Sequence, residues 1–191
     1  MKKIFCDAEF TGLIQKTTLI SIAFYCESGV SFYAEFTDYN ENDIDNWVRE
    51  NVISQLFLTD EFMKNNKTLY DNKKTYVKGN TIEIKEELIK WFNSIDDKIE
   101  FWGDCLAYDW VLLCELFGGA LQIPEKLYYI PFDICTLFKL KNIDPDINRE
   151  IFAGISSNDA KHNSEFDAMV IYKCYQKIMG DTEVDPDKYI W

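Results

Sequence analysis

The sequence predicts an α/β fold built on one mixed sheet, and three observations predict it. Three apolar, β-branched and aromatic runs open the chain, over residues 2–7, 18–25 and 31–36. A helix-strand-helix succession follows, and a long amphipathic helix comes last. Strands that run together and then alternate with helices place the helices on the faces of a sheet.

The elements follow in order. Residues 2–7 form a short buried strand, and Thr18 to Tyr25 a second. Ser31 to Phe36 is the third, joined to the second through Glu27-Ser28-Gly29-Val30, which carries turn chemistry. The opening is therefore an antiparallel meander. Asn42-Asp43 can cap a helix running to about Val52, with Ile44, Trp47 and Val48 on one face. Residues 54–80 lack a clear period and carry Lys64, Lys67, Lys73, Lys74 and Lys78. Thr81 begins a helix, with Ile84, Leu88, Ile89 and Phe92 at helical spacing. Lys98 to Trp102 is a fourth strand. Asp109 opens a helix bearing Val111, Leu112 and Leu116, which Gly118-Gly119 ends. Ile130 to Asp133 leads through a short strand into a helix to about Leu140, and a short helix is expected near residues 146–153. Glu165 to Ile178 is the last long helix, with Val170, Ile171 and Cys174 on the face below Asp167. The tail from Gly180 is polar. There is no internal repeat and no low-complexity linker, so residues 1–191 are read as one domain.

Composition narrows the class. Hydrophobic residues make up 47% and aromatics 16%, which excludes a disordered chain. No apolar run reaches the length of a membrane span. Met1-Lys2-Lys3 has the charge of a signal peptide, but Asp7 and Glu9 interrupt the apolar stretch, so a cytoplasmic protein is expected. None of the six cysteines forms a C-x-x-C pair, and one histidine is too few for most mixed Cys/His zinc sites. Buried free thiols in a reducing compartment are the simpler reading. The net charge of −13 argues against long nonspecific duplex binding and for capture of a strand end. It also leaves open an acidic binding protein or nucleic-acid mimic.

The sole histidine, His162, stands five residues before Asp167. An Asp-x-Glu pair, Asp7 and Glu9, directly follows an apolar run, and Asp109 follows the fourth strand. Two-metal phosphodiester hydrolysis needs oxygen ligands converging on hard cations, roughly 3.5–4 Å apart, that stabilise the attacking and leaving oxygens. Asp7 and Glu9, two apart on a strand, share one face. Asp109 at a helix start can be placed beside the first strand by a parallel pairing. Asp167 lies in the first turn of the last helix, and His162 in the loop before it. A neutral imidazole can accept the proton of an attacking water.

These residues carry a resemblance. Ile4-Phe5-Cys6-Asp7-Ala8-Glu9-Phe10-Thr11-Gly12-Leu13 resembles the first motif of the DEDDh 3′–5′ exonucleases, Ala107-Tyr108-Asp109 the second, and His162 with Asp167 the H-x4-D third. The order is right and the resemblance covers nearly the whole chain. Leu19-Ile20-Ser21-Ile22, Phe32-Tyr33-Ala34-Glu35-Phe36 and Ala107-Tyr108-Asp109-Trp110-Val111 are similar to small stand-alone bacterial and phage-type 3′–5′ exoribonucleases. The resemblance implies an RNase H-like fold with a mixed five-stranded sheet flanked by helices. It implies Asp7, Glu9, Asp109 and Asp167 as ligands for two Mg²⁺ or Mn²⁺ ions, and His162 as general base. It implies a single-stranded RNA 3′ end as substrate and nucleoside 5′-monophosphates as products. Related exoribonucleases are often dimers, so a homodimer and a monomer both stay open.

The tyrosine-type branch carries Tyr four residues before the last aspartate, where this chain has Asn163. Many relatives carry a His-Asn pair where this chain has Asp104 and Cys105, and Ala where it has Ser164. Asp104 is a candidate outer partner of a metal. By the resemblance Phe10, Thr11, Gly12 and Leu13 cradle the terminal nucleotide, whereas the simpler reading is a strand exit with Gly12 in a turn. Trp110 can stack a base or pack in the core. The lysines of 64–78, with Tyr70 and Tyr76, can track a phosphate backbone or form a solvated loop. Taken singly, Asp109 reads as an N-cap, Asp167 as a dipole-compensating acid and His162 as a surface histidine. A DNA exonuclease on the same fold remains the nearest alternative, because no residue here reads a 2′-hydroxyl.

Overall fold

A computed structural model describes residues 1–59, 68–155 and 162–180. Its strands are β1 (Lys2–Phe10), β2 (Leu19–Cys26), β3 (Ser31–Phe36), β4 (Thr68–Asp71), β5 (Lys74–Gly79), β6 (Ile99–Gly103) and β7 (Phe132–Asp133). Its helices are α1 (Asn46–Asn51), α2 (Thr81–Ser94), α3 (Asp109–Phe117), α4 (Ile134–Leu140), α5 (Arg149–Ala153) and α6 (Ser164–Gly180). The strands form one mixed sheet in the order β4-β5-β3-β2-β1-β6-β7. β1, β2 and β3 pair antiparallel, as the meander predicts. β6 then lies parallel to β1, and β7 parallel to β6. This is the expected mixed sheet flanked by helices, with seven strands rather than five.

The two additional strands come from the segment expected to be irregular. β4 and β5 form an antiparallel hairpin, and β5 lies parallel to β3. Asn72 sits at the turn with φ 51°, a conformation asparagine tolerates better than most residues. The hairpin lies at the edge of the sheet, and Val77 is its one buried large apolar side chain. Lys73, Lys74 and Lys78, which interrupt the apolar pattern, hid the strand period. Lys64 and Lys67 lie outside the described residues, as does the polar tail.

The other elements stand close to their expected places. Helix α2 begins at Thr81 because Asn80 and Glu83 form a capping box. Gly118, at φ 93°, closes α3 with a left-handed cap. The region after Asn42 departs from expectation. A short 3-10 turn over Glu41–Asp43 comes first, and Asp45 rather than Asn42-Asp43 caps α1.

β1 places the site because its two faces serve two cores. Ile4, Cys6 and Ala8 belong to the larger core with Leu88 and Phe92 of α2 and Leu113 of α3. Phe5 faces the other way, into a core built from α4, α5 and α6. Burying such a phenylalanine side chain stabilises the fold by about 1.5–3 kcal/mol. Asp7 and Glu9 share the phase of Phe5, so the strand that anchors both cores carries its acids toward α6. No helix among the described residues is long and apolar enough to cross a membrane.

Candidate active site

β1 supplies Asp7 and Glu9, and the first turn of α6 supplies Asp167. Carboxylate oxygens of the three lie within 4.8 Å of one another. Asp109 stands beside them at the start of α3, buried, and its Oδ1 accepts the backbone N–H of Ala8 at 2.8 Å. That bond ties the second motif to the first, and Asp109 does not cap its helix through a side-chain bond.

His162 completes the group. It occupies the left-handed region at φ 64°. Its N–H donates to Asp167 Oδ2 at 3.0 Å, so the chain folds back on the acid five residues later. Its Nδ1 lies 3.9 Å from Glu9 Oε1. Asn163 Oδ1 accepts from the N–H of Phe166, fixing the start of α6. The H-x4-D spacing is thus a small closed loop that delivers imidazole and carboxylate to one place.

The electrostatics share one cause. Burial, then the charges of Asp167, Asp109, Glu9 and Asp104, hold the Asp7 carboxyl well above its ordinary range. Burial and the charges of Asp167 and Asp109 push Glu9 to about 8. Burial pushes Asp109 to about 7, against the pull of the Ala8 N–H. So many acids cannot all ionise in a dry site without a counter-charge. Hard divalent cations take oxygen ligands, so this donor set fits Mg²⁺ or Mn²⁺.

The cluster opens into a cleft of about 430 Å³ lined by Asp7, Glu9, Asp104, Arg149, His162 and Asp167, among others. Asp104 is engaged elsewhere. Arg149 donates to its Oδ2 from Nε at 2.7 Å and to its Oδ1 from Nη2 at 3.0 Å, and the Cys135 thiol donates to Oδ1. Arg149 also holds the carbonyls of Pro145 and Ile147 and lies over the Phe138 ring. It braces one wall of the cleft, a role with no signal in the sequence.

A second hollow, of about 490 Å³, adjoins Glu9 and is lined by Phe10, Gly12, Leu13, Trp47 and Val48, among others. Leu13 is 78% exposed, and Phe10 stacks on Tyr108 at 4.9 Å. Thr11 is buried instead. Its N–H donates to the Thr18 carbonyl, and Gly12 N–H donates to Thr17 Oγ1, so both amides are used within the loop. Trp110 lies edge-on to Phe101 at 5.1 Å against the larger core and lines neither hollow. Trp47 is the tryptophan at the site, half exposed, its ring 5.0 Å from that of His162. The structure buries Val48 and leaves Trp47 exposed, although the sequence puts both on the apolar face with Ile44.

A family model described as the 3′-5′ exoribonuclease Rv2179c-like domain matches residues 2–179. The chain belongs to the Rv2179c-like family. Its members include the enzyme class of phosphodiester hydrolases that act as 3′–5′ exonucleases, and this protein is one of them. It is also 30% identical over 134 residues to the 3′-5′ exoribonuclease Rv2179c of Mycobacterium tuberculosis strain ATCC 25618 / H37Rv. That alignment covers 65% of this chain and 67% of the relative. The 3′-5′ exoribonuclease MT2234.1 of strain CDC 1551 / Oshkosh matches with the same identity and coverage. In this Rv2179c-like chain the matched span includes all three motifs.

Proposed function

We propose that residues 1–191 act as one exonuclease domain that removes nucleoside 5′-monophosphates from the 3′ end of single-stranded RNA. The observation that carries the reading is the convergence of Asp7, Glu9 and Asp167 within 4.8 Å, with His162 folded onto the same cluster. Asp7, Glu9, Asp109 and Asp167 would hold two Mg²⁺ or Mn²⁺ ions. When bound, such ions neutralise charge on the phosphodiester and on the leaving oxygen.

The chain's own residues divide the remaining work. His162 takes the proton of the attacking water through its imidazole. Water oxygen bonds to phosphorus, the P–O3′ bond breaks, and the 3′ oxygen leaves with the shortened strand. The released nucleotide keeps its 5′ phosphate. Trp47, Leu13 and Phe10 border the apolar hollow beside Glu9 and offer the terminal base a stacking surface. Preference for RNA follows from family membership. All six cysteines are unpaired, which supports a reducing, cytoplasmic setting.

Single substitutions test the assignment. Asp7→Asn and Asp167→Asn should each lower turnover by about a thousandfold, the scale of losing a group that stabilises the transition state. Their far-ultraviolet circular dichroism should stay unchanged. Wild-type turnover in either variant would remove that residue from the proposed ligand set.

A further inference from the structure

We infer that Glu35 is a positioning residue for the turn that carries His162 and Asp167, acting through the segment 55–58. The inference rests on the reading of those two residues as catalytic groups.

Glu35 lies in β3 and is 1% exposed. Its Oε1 accepts the Tyr33 hydroxyl at 3.0 Å and the backbone N–H groups of Phe57 and Leu58 at 2.8 and 2.9 Å. Its other oxygen has no hydrogen bond, and the Lys78 ammonium stands 3.8 Å away on the paired strand β5. Lys78 Nζ donates to the Leu58 carbonyl at 2.6 Å. The peptide groups on both sides of Leu58 are therefore pinned to the sheet by buried or half-buried charge. An apolar side chain at position 35 would suit the sheet interior better, since burying a carboxylate is costly unless it is needed to hold donors.

The pinned segment bears on the catalytic turn at two points. Leu58 shares one buried cluster with Tyr33, Ala23 and Ala168, the neighbour of Asp167. The Gln55 carbonyl accepts Asn163 Nδ2 at 3.3 Å, next to His162. A third link comes through the sheet. Ser164 Oγ meets Ser21 Oγ at 3.0 Å, and Ser21 is the cross-strand partner of Glu35 in the β2–β3 pairing. The start of α6 is thus held on one side by the strand paired with Glu35 and on the other by the segment that Glu35 pins. His162 needs such support, because a left-handed non-glycine conformation persists only where its surroundings impose it.

The test uses the full chain with Glu35→Leu, Glu35→Gln, Lys78→Met and His162→Ala. Steady-state rates on a short RNA, Mn²⁺ affinity by calorimetry and melting temperature are measured for each, with rates taken well below melting. Glu35→Leu should lower kcat by about tenfold or more, since small displacements of catalytic groups cost one to two orders of magnitude. KM should stay near wild type, while Mn²⁺ affinity should weaken because Asp167 moves with the turn. Glu35→Gln keeps an oxygen for Phe57 and Leu58 and should recover most of the rate. Unchanged kcat in Glu35→Leu, with only a lower melting temperature, would overturn the inference and leave Glu35 a structural residue. If Glu35→Leu does not fold, Lys78→Met reads the same tether: a lower kcat at unchanged KM supports it, and an unchanged kcat overturns it. His162→Ala separates the two levels. Wild-type kcat in that variant overturns the reading of the base itself, whereas its loss beside an unaffected Glu35→Leu overturns only the positioning role.

Discussion

Glu9 shows most clearly how the site works against the stability of the metal-free fold. Its folded pKa of about 8 stands above an ordinary 4.5, and Asp109 moves from 3.8 to about 7. The native state therefore holds protons that the unfolded chain releases. Stability is greatest below about pH 4–5 as far as these groups are concerned, and is lost as pH rises toward 8. The metal-free protein should melt at a lower temperature at pH 8 than at pH 6, and Mn²⁺ should restore more at pH 8. Calorimetric scans in a chelating buffer, then with Mn²⁺, check both; a flat profile would mean the acids are not crowded. Arg149 makes the opposite kind of contribution. Replacing it by Met leaves Asp104 uncompensated near Asp7, which should destabilise the fold by about 3 kcal/mol. Chemical denaturation of Arg149→Met, Asp104→Asn and the double variant checks this. The double variant should be less destabilised than the sum of the two singles, and strict additivity would deny the pairing.

At the scale of elements, legibility followed burial. β1 was readable because an apolar run ends in two acids at strand spacing, and α2 because four apolar residues recur at helical period above a capping box. The β4–β5 hairpin was not, because Lys73, Lys74 and Lys78 interrupt the apolar pattern at an exposed edge and only Val77 reports burial. α1 was readable as a helix but not in its orientation, since a helix of six residues offers too few positions to define a face. Trp47, expected on the packed face with Ile44 and Val48, therefore borders the site instead, while Trp110 takes the core position, one of its two expected readings. The clustered acids were legible from spacing, whereas the Arg149–Asp104 pair joins positions 45 residues apart and leaves no local pattern. Trp47→Ala should raise KM for RNA by about tenfold, the loss of one base–aromatic stack, with stability nearly unchanged. Trp110→Ala should do the reverse, costing about 3 kcal/mol of stability while KM holds. Paired kinetics and urea titrations separate the two, and a KM effect confined to Trp110 would contradict the placement.

For the whole molecule, the topology reconciles a net charge of −13 with a nucleic-acid substrate. The meander puts β1 between β2 and β6, and the parallel β1–β6 pairing brings Asp109 next to Ala8. α6 then crosses the sheet with its first turn over Asp7 and Glu9, so residues more than 150 positions apart share one cleft. Acid concentrated at a cation site suits a single phosphodiester at a strand end, and the same charge elsewhere discourages long nonspecific contact. The central claim is that this cleft trims RNA from the 3′ end when a divalent cation is present. Digestion of a 5′-labelled single-stranded RNA, with Mn²⁺ and with chelator, beside the same sequence as DNA, tests it most directly. A Mn²⁺-dependent ladder shortening from the 3′ end, faster on RNA than on DNA, is the expected result. Folded protein that leaves both strands intact would contradict it and return the acidic binding protein to consideration.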